Sequence, residues 1–76
     1  MTTEDEYYSE LKEHLKNEYN YTDVIEKEKL SNGEICFKIN GSHWTTQLMV
    51  EVLRETVDYM SQFDDTGKFK ILFTLL

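Results

Sequence analysis

The chain has 76 residues, 15 acids against 8 bases for a net charge of −7, 39% hydrophobic residues and no proline. A chain of this size buries only about 60% of the surface its unfolded form exposes, so residues 1–76 are read as one domain with a thin core and no deep catalytic cleft. No apolar run reaches the roughly 18 residues that a membrane crossing takes, and the acidic start, MTTEDEYYSE, is not the basic-then-apolar order of an export signal.

The first element reads as a helix. Thr3 followed by Glu6 is a capping box, and Glu4, Asp5 and Glu6 suit the positive end of a helix dipole. Tyr8, Leu11, Leu15 and Tyr19 recur at steps of three and four, the apolar stripe of an amphipathic helix, and Asn20 is its terminator. Glu6, Glu10 and Glu13 lie on the opposite face. Residues 22–30 and 34–40 then flank Asn32-Gly33, a strong hairpin signal. A two-residue turn pairs Leu30 with Ile35, Glu28 with Phe37 and Glu26 with Ile39. A three-residue loop with a glycine bulge brings Glu26 opposite Lys38 instead. The first register gathers more apolar area on one face and is the one expected.

Asn40-Gly41 marks a second turn, and Ser42 or Thr45 caps a second helix, expected over Trp44–Gln62. Its apolar face runs through Leu48, Met49, Val52, Leu53, Thr56, Tyr59, Met60 and Phe63, broadened by Val50 and Val57. Its polar stripe holds Gln47, Glu51, Glu55, Asp58 and Gln62. Asp64-Asp65-Thr66-Gly67 ends the helix, and residues 68–76 read as a strand with Phe69, Ile71, Phe73 and Leu75 on one side.

The order α-β-β-α-β places a crossover helix between the last two strands, which makes them parallel. The charged first strand belongs at an edge. The expected fold is therefore a two-layer α+β domain with a three-stranded mixed sheet, order 1-2-3, and both helices on one face. In the preferred register the open sheet face collects Lys27, Lys29, Lys38, Lys68 and Lys70, and the molecule is electrically two-sided.

The residue inventory for chemistry is thin. Cys36, His14 and His43 are the only soft or imidazole ligands, too few and too scattered for a four-ligand zinc site. A Cys36–His43 nucleophilic pair would have no cleft to enclose a substrate. The Asp64–Gly67 run lacks the closing glutamate of a calcium loop and reads as a turn. Neither a metal nor a cofactor is expected, and the protein is read as non-enzymatic. Direct nucleic-acid binding is disfavoured by the acid excess, and the phenylalanines that could stack on bases face the core. The lone cysteine fits a reducing, cytoplasmic compartment. Alanine is absent and Arg54 is the sole arginine; both residues, like proline, have GC-rich codons, which suggests an AT-rich gene, as in low-GC bacteria, their phages and plasmids, and points towards a small accessory protein such as those of phages and mobile elements.

What remains is surface. The two acidic stripes, Glu6, Glu10 and Glu13 on one helix and Glu51, Glu55 and Asp58 on the other, suit docking on a basic protein, as an inhibitor or as a mimic of nucleic acid. Trp44, at the start of the second helix, is a candidate hot spot. The alternative is an assembly protein that pairs with itself through the last strand, using Leu72 and Leu76.

Overall fold

The structure is a computed structural model and describes residues 2–75. Helix α1 (Glu4–Tyr19) is followed by strands β1 (Glu26–Lys29) and β2 (Ile35–Asn40). A 3-10 turn (Gly41–His43), helix α2 (Thr46–Met60), a second 3-10 turn (Ser61–Phe63) and strand β3 (Phe69–Thr74) complete the order. The sheet order is β1-β2-β3, antiparallel between the first two and parallel between the last two. This is the expected α+β fold, with the charged strand at one edge.

Local chemistry accounts for the helix ends. Thr3 Oγ1 accepts from the Glu6 amide at 3.2 Å while the Glu6 carboxylate accepts from the Thr3 amide at 3.1 Å. The Thr3 backbone amide first, and then the Thr3 hydroxyl, hold the Glu6 carboxyl below its ordinary pKa. Asn20 ends α1 in the left-handed region, φ 56°, which asparagine tolerates better than most residues. Helix α2 is shorter than expected. Thr45 caps it, accepting from the Leu48 amide at 3.3 Å, and Trp44 precedes it with extended backbone. The three residues past Met60 tighten into 3-10 geometry. Asp64 then ties down the connection, accepting from the amides of Lys68 (3.0 Å) and Phe69 (3.2 Å).

The hairpin register differs from the expected one. Glu26 faces Lys38, Lys27 faces Phe37, Glu28 faces Cys36 and Lys29 faces Ile35. The loop has three residues: the Leu30 amide donates to the Glu34 carbonyl at 2.7 Å, and Gly33 takes φ 88°, the bulge conformation that glycine supplies without a Cβ penalty. The consequence is a flip of every β1 side chain. Lys27 and Lys29 lie on the helix-bearing face, where Lys27 meets Glu4 at 3.0 Å and sits over the Tyr8 ring. Glu26 and Glu28 replace them on the open face beside Lys38 and Lys70, and Lys38 pairs with Glu28 at 2.7 Å. Lys68 precedes β3. The open face is a mixture of both signs, so the expected lysine face does not exist.

The core fills the space between sheet and helices. Ile35, Phe37 and Ile39 stand beside Phe69, Ile71 and Phe73 in register, and Tyr7, Leu11 and Leu15 of α1 cover them together with Val52, Thr56 and Met60 of α2. Tyr7, rather than the expected Tyr8, leads the α1 stripe: its ring stacks on Phe69 at 4.4 Å and lies 5.1 Å from Phe37. Burial, and after it the nearby Asp64 carboxylate, pushes the Tyr7 hydroxyl up to about 12.

Candidate protein-interaction surface

Helices α1 and α2 run antiparallel, with Tyr19 at the end of α1 against Trp44 at the start of α2. Their seam is polar and aromatic. The His14 ring stacks on Tyr59 at 4.4 Å, and the Tyr19 hydroxyl donates to the Glu55 carboxylate. Burial, followed by that hydrogen bond and the Glu55 charge, pushes the Tyr19 hydroxyl up to about 12. These contacts bring the two acidic stripes together. Glu10, Glu13 and Glu18 border one shallow depression with His14 and Tyr59, and Glu51, Glu55 and Asp58 surround Arg54 in the next. Glu6 lies farther along α1, at a depression it shares with Glu10 and Phe63.

Of the acids on this layer, only Glu4 is in a salt bridge among the described residues. The two helices hold nine acids against three bases. The three salt bridges among the described residues, Lys27–Glu4, Lys38–Glu28 and Lys70–Glu34, all draw their bases from the strands. None involves Glu6, Glu10, Glu13, Glu51, Glu55 or Asp58.

His14 carries a consequence for stability. Its Nε2 is buried without a hydrogen-bond partner. Burial lowers its pKa from the ordinary 6.5, while the Glu18 and Glu55 carboxylates act in the opposite direction. The unfolded chain therefore holds more protons on this ring than the folded chain in the window below 6.5. Stability tied to the neutral ring is complete above that window and is lost as pH falls through it. Urea midpoints measured from about pH 7 to about pH 5.5 should fall more steeply for the wild type than for His14→Gln. Parallel slopes for the two proteins would show that His14 titrates alike in both states.

The other expected site residues are distributed around the molecule. Trp44 closes one end of the core, its half-buried ring stacked against both Tyr21 and Phe73. Leu72 is exposed on the open face of β3, and Leu76 lies outside the described residues. Cys36 is buried in β2 on the open-face side, and His43 follows the far end of that strand, packed edge-on against Tyr21 and Trp44. No group of three or more His, Cys, Asp or Glu side chains among the described residues is placed to hold a metal ion. No helix among them is long and apolar enough to cross a membrane.

One surface escaped the sequence reading. Periodicity places Val50 and Val57 on the broad apolar face of α2, yet they are 58% and 47% exposed. The spread of apolar residues around α2, wider than one core-facing stripe, was the available signal. The fold and surface together describe a small acidic α+β domain whose charge is concentrated on its helix layer. No protein family, curated protein or solved structure matches this chain.

Proposed function

We propose that this protein is a non-enzymatic binding protein that docks the outer face of its helix layer on a basic protein surface, as an inhibitor occupying a nucleic-acid-binding site would. The observation that carries this reading is the convergence of Glu10, Glu13, Glu51, Glu55 and Asp58, carboxylates that enter no salt bridge among the described residues, on either side of the α1–α2 seam. One stripe alone is sparse: carboxylates one turn apart are separated by about 6 Å along a helix, against 3.4 Å of rise per phosphate on one DNA strand. Two adjacent stripes come nearer that density. The depressions between them are open and carboxylate-lined, which suits broad electrostatic contact better than capture of a small substrate.

Electrostatic steering makes the test specific. The chain is immobilised and its association with a panel of small basic proteins is followed at low and high salt. Reversing Glu51, Glu55 and Asp58 to lysine should slow association by roughly tenfold or more at low salt, and the difference should shrink as salt is added. The control is the same change of net charge at Asp23, Glu26 and Asp65, which lie away from the seam. Equal losses from both triples would mean that net charge alone drives the binding and would defeat the reading.

A further inference from the structure

We propose that two copies of this chain associate through a two-layer interface, antiparallel along β3 in the sheet layer and flank to flank along α2 in the helix layer. Unlike the docking surface above, this interface uses no carboxylate of the seam, and it stands or falls separately.

The sheet layer supplies an unpaired edge. Among the described residues, strand β3 bonds only to β2. The Ile35 amide donates to the Lys68 carbonyl, and the alternation of a parallel ladder then turns the amides and carbonyls of Phe69, Ile71 and Phe73 outward. Natural edges are guarded by charge, proline or bulges. Here the only charge within β3 is Lys70, near its start, while Leu72 is 48% exposed.

The charge pattern selects both occupant and direction. A parallel copy would set Lys70 against Lys70 and Lys68 against Lys68. An antiparallel copy with its twofold axis at Ile71 sets Lys70 against Leu72, and with the axis at Leu72 sets it against Thr74. Both arrangements avoid the like-charge pair, so the strand is complementary to itself in the antiparallel sense.

The helix layer adds the second contact. Tyr59 and Glu55 mark the side of α2 that faces α1. At about 100° per residue, Val50, Leu53 and Val57 fall on the opposite flank, away from α1 and from the β1 edge that α1 meets through Lys27. The first turn of α2 stands over the end of β3, since a Cβ on Gly41 would touch Met49, Phe73 and the Thr74 carbonyl together. That flank holds no charged side chain, and Arg54 lies at its rim. Joining two sheets along β3 brings the flank of one copy to the flank of the other. Of the seam carboxylates, Glu55 lies on the far side of α2 and Glu51 and Asp58 on its outer crest beside Arg54; none stands on the flank itself, which is how two chains of net charge −7 can approach.

Sedimentation equilibrium over a dilution series tests this on the full chain, with circular dichroism to confirm that each variant is folded. The wild type should dimerise within the micromolar range. Leu72→Lys, in the sheet layer, and Val57→Lys, in the helix layer, should each raise the dissociation constant at least tenfold. Both positions are exposed, so folding should persist. Should Leu72→Lys fail to fold, Leu72→Thr provides the sheet-layer reading. A wild type that is monomeric at high micromolar concentration overturns the proposal, as does a dimer that only one of the two layers affects.

Discussion

Trp44→Ala should destabilise the domain by about 2–4 kcal/mol, somewhat below the range for a fully buried aromatic because the ring is half-buried. The indole is stacked against two rings, 5.4 Å from Tyr21 at 14° and 5.4 Å from Phe73 at 18°, with Tyr19 and His43 edge-on at 6.1 and 4.9 Å. It joins three parts of the chain that local structure does not hold together: the segment after α1, the entry to α2 and the end of β3. Tyr21 adds to the same join, because its hydroxyl donates to the Val24 carbonyl at 3.1 Å and accepts from the Asn40 amide at 2.9 Å. A domain of this length is stabilised by roughly 4–11 kcal/mol in total, at ~0.05–0.15 kcal/mol per residue. Losing Trp44 would remove a large part of that, and urea unfolding at neutral pH reads it directly. Trp44→Phe retains a ring against Tyr21 and Phe73 and should cost far less. A loss below about 1 kcal/mol for the alanine variant would mean that the ring contributes little to the core and would favour its role as a hot spot for a partner.

The elements that were legible in the sequence are those decided by neighbouring residues. The Thr3–Glu6 box, the Asn20 stop, the choice of Ser42 or Thr45 as the α2 cap and the alternation of Phe69, Ile71 and Phe73 all depend on contacts or periodicity within a few positions. The strand order was legible too, since a charged strand is a poor centre and a crossover helix makes its flanking strands parallel. The hairpin register was not, because Asn32-Gly33 suits two loops and the contacts that accompany the longer one are distant. Lys27 meets Glu4 and Tyr8 on α1, which apolar area along two strands could not anticipate. The same limit applies to the surface. Each acidic stripe could be read from one helix, but their meeting depends on the stacking of His14 on Tyr59 and the bond from Tyr19 to Glu55. The flank of α2 was missed because periodicity shows how wide an apolar face is, and only packing shows which part of it the sheet covers.

Gly41→Ala should cost about 1–3 kcal/mol, through overpacking. Gly41 is buried where β2 hands over to α2, and its backbone is not left-handed, so the cost is steric. The new Cβ would overlap Met49 Sδ and would stand 3.1 Å from the Thr74 carbonyl oxygen and 3.3 Å from Phe73 Cβ. These neighbours differ in how far they can yield. The Met49 thioether ends a flexible side chain and can swing aside, whereas the Thr74 carbonyl moves only if the end of β3 moves with it. A double-mutant cycle separates the two. If Met49 carries the clash, Met49→Ala should offset part of the loss, and the double variant should be about 1 kcal/mol more stable than the sum of the singles. Additivity would instead assign the strain to β3, and the proposed dimer should then weaken in Gly41→Ala as well. Gly33→Ala provides the contrast: nothing lies within 4 Å of its Cβ position, and φ is 88°. Its expected cost, about 1–2 kcal/mol, comes from the left-handed backbone alone, and no second substitution in the core should relieve it.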